Sequence, residues 1–197
     1  MRVLLVGSTG HVGSAVAGRL ARDHDVVGVS RSSTPRVDIG DPDSIRTLFE
    51  AVGEVDAVVA TVGSAPFRPF GELTREDYLA GLTSKVLGQV EVVRQGVRYV
   101  RDGGSFTLTT GVVGRQQVRT GAAAAMANGA LEHFVPAAAV ELPRGLRINV
   151  VSPSVLLEAA GYHPSFPGFV PVPAATVAEA YVRSVEGVET GRVYVLD

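Results

Sequence analysis

A chain of 197 residues, 46% hydrophobic and 19% charged, can bury a sizeable core and falls within the span of one domain, expected here over residues 1–197. The net charge of −2, with arginines scattered along the chain, argues against a nucleic-acid partner, and the absence of cysteine excludes disulfides, a thiolate nucleophile and a cysteine-ligated metal. No run approaches the roughly 20 apolar residues of a membrane span, and the four histidines lack metal-ligand spacing, so neither membrane nor metal is expected and a cytoplasmic location is.

Short β-rich runs alternate with longer helical patterns, the sequence form of a parallel sheet covered on both faces. In chain order the expected strands are Arg2–Gly7, Asp25–Ser30, Arg36–Ile39, Asp56–Val62, Ser105–Thr110, Arg147–Ser152 and Arg192–Leu196. Helical patterns cover Val12–Arg22, Pro42–Val52, Arg75–Val100, Ala122–Leu142 and Ala175–Val185, with Asp41 and Thr74 as N-caps and a kink or early break at Pro136. Together these predict an α/β, Rossmann-type doubly wound fold in a single domain. Only Ser32 to Pro35 separates the second and third expected strands, so either that connection is shortened or the third strand is vestigial. The Pro-, Gly- and aromatic-rich segment Gly161–Pro173 is the candidate substrate-covering loop.

The turn Gly7-Ser8-Thr9-Gly10-His11-Val12-Gly13 follows an expected strand and opens an expected helix, the context in which a GxxGxxG pattern binds a dinucleotide. Glycines permit the tight turn and close approach, and the helix N-terminus offers N–H groups to a pyrophosphate. Where an NAD site carries an acidic residue, the second strand ends in Ser30-Arg31-Ser32; a guanidinium with flanking hydroxyls suits a 2′-phosphate, so NADP(H) is favoured over NAD(H).

With that turn, Asp38-Ile39, the strand ending Ala60-Thr61-Val62-Gly63 and the run Leu146–Pro153 in order, the chain resembles the short-chain dehydrogenase/reductase family over essentially its whole length. The resemblance implies that Asp38 and Ile39 flank the adenine, that Thr61, Val62 and Gly63 stand in the family's Asn-Asn-Ala-Gly segment, and that Pro153 lies beside the nicotinamide. The family's Tyr-x-x-x-Lys pair is missing: no tyrosine is followed four residues later by a lysine, and Ala124 and Asn128 fall on the two positions. Gly111 falls on the family's catalytic serine, with Thr110 beside it as a substitute, and Lys85 falls on the helix asparagine. Lysine and asparagine have thus exchanged helices, and Lys85 is the only lysine beside seventeen arginines.

Two readings of function remain open. In one, an NADP(H)-dependent oxidoreductase uses Lys85, Thr110 and Asn128 to orient a small carbonyl or alcohol. In the other, a non-redox dinucleotide-binding or sensing protein, or an isomerase or lyase, occupies the same scaffold, with Lys85 an exposed helix cation. His163, beside Tyr162 in the covering loop, is either an acid or base near substrate or an incidental loop residue. The alanine-rich helix Ala122–Ala139 lets a neighbouring backbone approach, and the resemblance places the dimer interface there, so a homo-oligomer, dimer or tetramer, is expected.

Overall fold

A computed structural model describes all residues 1–197. Six parallel strands form one sheet: β1 (Arg2–Val6), β2 (Asp25–Val29), β3 (Val55–Ala60), β4 (Val100–Thr109), β5 (Arg147–Pro153) and β6 (Val193–Leu196), in the spatial order β2-β1-β3-β4-β5-β6. Helices α1 (His11–Leu20), α2 (Pro42–Val52), α3 (Arg75–Gly81), α4 (Gly88–Gly96), α5 (Ala122–Ala139) and α6 (Ala174–Glu186) make the crossovers. This is the expected Rossmann-type α/β fold, and none of its helices is long and apolar enough to cross a membrane.

The continuous apolar runs are explained by burial on both sides. In β1, Leu4 and Val6 face a cluster with Ile45, Phe49, Val92 and Leu131, whereas Val3 and Leu5 face a second cluster with Val16, Leu20, Val177 and Tyr181. Asp41 caps α2 by accepting from the Asp43 amide at 2.9 Å, and Thr74 forms a reciprocal capping box with Asp77, as both N-caps were expected to do.

Three expectations fail. Residues 36–39 are not a strand: the pairing is a single bridge between Ser30 and Arg36, so the third expected strand is vestigial and the connection from β2 to β3 carries α2 as an ordinary crossover. Ser30, Ser32 and Ser33 hydrogen-bond among themselves and fold the segment into a loop before any ladder extends. The helix expected over Arg75–Val100 is three pieces, because residues Leu82–Leu87 form a π-helical turn between α3 and α4, and Val100 already belongs to β4. An early break at Pro136 does not occur: α5 runs through it to Ala139, three residues short of the expected Leu142.

The winding direction reverses at β1, with β2 to one side and β3 to the other. A crevice opens at their carboxyl ends, between the turn after β1 and the segment after β3.

Candidate active site

The three glycines of the turn are required for different reasons. Gly7 has φ +95°, and a Cβ there would lie 2.7 Å from the Thr61 carbonyl oxygen. At Gly13 a Cβ would overlap the Gly7 carbonyl, so α1 could not seat against the turn. Gly10, the N-cap of α1, is different: it has an ordinary φ of −77°, and the nearest atom to a Cβ would be 3.8 Å away. The protein needs Gly7 and Gly13 for its own packing; Gly10 leaves open space at a helix N-terminus, where a ligand's phosphates can meet backbone N–H groups. The turn is anchored on both sides, by the Gly7 amide donating to the Val29 carbonyl at 2.8 Å and by the Thr61 hydroxyl donating to the Gly7 carbonyl at 3.1 Å.

Two adjoining cavities flank this turn. The first, about 540 Å³, is lined by Gly7, Thr9, Gly10, Ser30, Arg31, Ser32, Asp38, Ile39, Thr61, Val62 and Gly63. Arg31 is exposed and has no ion-pair or hydrogen-bond partner, so its guanidinium is free for a ligand. The second, about 360 Å³, shares Gly10, Thr61 and Gly63 with the first and adds His11, Val12, Pro153, Lys85, Thr110 and Asn128. Residues distant in sequence are thereby brought together around one crevice. Ser8 and Gly13 are the two predicted residues that line neither cavity: Ser8 lies behind the turn, where it packs on Gly28, and Gly13 is covered by Gly7.

Lys85 stands on the π-helical turn, pressed so closely against Gly63 that a Cβ at Gly63 would sit 2.7 Å from the Lys85 Cα. A π turn inserts one residue into the helical repeat and re-aims the side chains that follow it, a device common at functional sites. Behind this turn, the fully buried Gln89 ties β3 to β4. Its Nε2 donates to the Val62 and Thr109 carbonyls at 3.1 and 2.9 Å, and its Oε1 accepts from the Thr109 amide at 2.8 Å. Lys85 is half-buried and makes no ion pair or hydrogen bond; burial pushes its ammonium down to about 8, against the opposing pull of the Glu132 carboxylate.

Asn128 projects from the buried face of α5, 4% exposed, and its Oδ1 is buried with no hydrogen-bond partner. A buried acceptor left without a partner is costly. Beside it, Gly111 is in extended backbone that any residue could adopt, and a Cβ there would meet the Asn128 Nδ2 only at 3.6 Å. Ala124, one turn earlier on α5, also lines the cavity, with only a methyl group at the position where the resemblance leads one to expect a tyrosine.

Thr110 lies within the site, but its hydroxyl donates to Glu132 Oε1 at 2.9 Å. The same oxygen accepts from Arg115 Nη1 at 2.6 Å and Ser152 Oγ at 2.7 Å, and Arg115 also donates to Ser152. This buried cluster of Thr110, Arg115, Glu132 and Ser152 escaped sequence reasoning. The available signal was that Glu132 follows Asn128 by four residues on a helix, which places both on one face. His163 is not aimed at substrate: its Nε2 is tied to the Leu156 carbonyl at 2.9 Å, and it is Tyr162, stacked edge-on to Phe67, that reaches the cavity.

Residues 12–195 match the family model described as enoyl-(acyl carrier protein) reductase. The chain belongs to the short-chain dehydrogenase/reductase family. Among solved structures, the protein lin1944 from Listeria innocua is 47% identical over the full length of both chains, with a TM-score of 0.98. A small-chain dehydrogenase in complex with NADPH is 27% identical over 100% of this chain and 96% of its own, with a TM-score of 0.89. Versicolorin reductase of Emericella nidulans is 26% identical over 132 residues, 61% of this chain and 48% of that protein, so the match spans about half the length of that curated relative. Short-chain dehydrogenases/reductases form an oxidoreductase family whose members bind a nicotinamide dinucleotide and act on small molecules.

Proposed function

We propose that this short-chain dehydrogenase/reductase, acting as one dinucleotide-binding domain, is an NADP(H)-dependent oxidoreductase for a small carbonyl or alcohol, with Lys85, Thr110 and Asn128 orienting the substrate. The observation that carries the cofactor preference is the unpaired Arg31 between Ser30 and Ser32 on the wall of the first cavity, where no carboxylate from the end of β2 repels a 2′-phosphate. The NADPH complex of the 27% identical relative supports the same choice. The residues present fit the group: Gly10 leaves room for the pyrophosphate, Asp38 and Ile39 line the same cavity and would flank the adenine, and Asn128 lines the second cavity, where its side-chain amide would meet a ribose or substrate oxygen. When bound, the cofactor supplies or accepts a hydride. The chain's own residues would hold the substrate in an open cavity whose apolar wall is made by Phe67, Val113, Val155 and Phe166.

The test is titration of the protein with NADPH and NADH by calorimetry, followed by NADPH oxidation against a panel of aldehydes and ketones. Tighter binding of NADPH, reduced about 10-fold or more in Arg31→Ala while NADH is unaffected, is the expected result. Equal affinity for the two dinucleotides would sink the preference. A second reading, a non-redox binding protein, isomerase or lyase on this scaffold, is favoured by Ala124 in place of the tyrosine and by the engagement of the Thr110 proton with Glu132. NADPH binding without oxidation across the panel would select it. A cytoplasmic homo-oligomer packed through the alanine-rich α5 belongs to the same proposal, and sedimentation velocity reads its state.

A further inference from the structure

A carbonyl reduced in this site must take up a proton on oxygen, and the family's tyrosine is absent. The cavity's own groups narrow the source. Thr109 and Thr110 give their hydroxyl protons to the Ala60 carbonyl and to Glu132, the side chain of Asn128 is an amide, and Ala124 has no proton to give. Serine hydroxyls hold their protons too tightly at neutral pH. Three titratable side chains remain on the cavity wall: His11, Tyr162 and Lys85. His11 opens α1 at the exposed rim, and Tyr162 is 57% exposed on the segment after β5. Lys85 alone is half-buried, fixed at its stem by Gly63, and carries N–H groups that nothing in the protein accepts.

We infer that Lys85 Nζ is the proton donor of this site, with Glu132 a positioning residue that holds the ammonium charged. The inference rests on the oxidoreductase reading above. As a C–H bond forms at the carbonyl carbon with a hydride donated by a reduced nicotinamide dinucleotide, and the C=O π pair moves onto oxygen, that oxygen takes a proton from Nζ. The N–H bond breaks, an O–H bond forms, and the nitrogen keeps the electron pair as a neutral amine, which solvent reprotonates through the open mouth of the cavity. Glu132 is suited to its part because α5 packs directly against the π turn that carries Lys85, and Thr110, Arg115 and Ser152 all donate to Oε1 and so hold the carboxylate in place. The other charged groups nearby are occupied: Arg115 by Glu132, Asp77 of α3 by the Thr74 cap and Arg68, and Glu91 of α4 by Arg94.

Because Lys85 is the only lysine, protein grown on lysine labelled with 13C at Cε shows a single side-chain resonance, and its titration can be read without turnover. A midpoint near 8 in the wild type, moving lower in Glu132→Gln, is expected. A midpoint unmoved in Glu132→Gln overturns the role given to Glu132, and a wild-type midpoint in the ordinary lysine range overturns Lys85 as a donor that releases its proton near neutral pH. In turnover, carbonyl reduction should decline as pH rises through that midpoint, and both Lys85→Met and Lys85→Arg should lose about 100-fold or more in kcat. Arginine preserves the charge but does not release its proton. A Lys85→Arg enzyme that keeps wild-type kcat would therefore reduce Lys85 to a charge-positioning group and overturn the inference while leaving the oxidoreductase reading intact. Loss of the pH dependence in Tyr162→Phe would transfer the role to Tyr162. Absence of any carbonyl reduction by the wild type would remove both readings.

Discussion

Replacing Lys85 by methionine should make the protein more stable while disabling it. Methionine keeps the length and apolar stem of the lysine, so the packing against Gly63 is retained and only the half-buried charge is lost. The depression of the ammonium from its ordinary 10.5 to about 8 corresponds to an upper bound of roughly 3 kcal/mol against the folded state. Partial solvent access to a half-buried group reduces the expected gain to about 1–3 kcal/mol. The sign follows from proton uptake. Between pH 8 and 10.5 the unfolded chain binds the proton that the folded protein has released, so wild-type stability rises relative to the variant as pH increases through that window. The advantage of Lys85→Met should be full at pH 7, shrink from pH 8 upward and vanish near pH 10.5. Urea unfolding of both proteins at pH 7, 8, 9 and 10 measures it. The titration of Tyr181, held above its usual value by burial, is common to both proteins and cancels in the difference. An advantage that does not change with pH, or a variant less stable than wild type at pH 7, would refute a desolvated charge at this position.

The two kinds of glycine in the turn should separate in the laboratory. Gly10→Ala should unfold within about 0.5 kcal/mol of wild type yet bind NADPH at least ~10-fold more weakly, whereas Gly13→Ala, whose Cβ overlaps the Gly7 carbonyl, should cost more than about 2 kcal/mol in urea unfolding. Gln89→Leu removes the three hydrogen bonds joining the ends of β3 and β4 and leaves the Thr109 amide buried and unpaired. It should cost about 3 kcal/mol by the same assay, and a loss below about 1 kcal/mol would show that water replaces them.

The elements that the chain's sequence determines are those whose signals are local. The apolar runs of β1 and β3 specify strands because side chains alternate between two covered faces, and Gly7 and Gly13 specify a tight strand-to-helix turn because no other residue permits the positive φ of the one and the close seating of α1 on the other. Lys85 and Asn128 were legible as candidates because each sits in a segment that resembles the family's, and both line the second cavity. Tertiary structure decided what depends on meetings across the fold. Residues 36–39 have a β-rich composition but lie at the outer edge of the sheet, where the serine loop satisfies Ser30 and leaves a single bridge. The π turn that presents Lys85 has no sequence marker, because it arises from fitting the helix against Gly63 and the anchor of Gln89. Glu132 shows the limit most clearly: helical spacing puts it on the face of Asn128, but only the packing of α5 on β4 and β5 brings Thr110, Arg115 and Ser152 to its Oε1 oxygen.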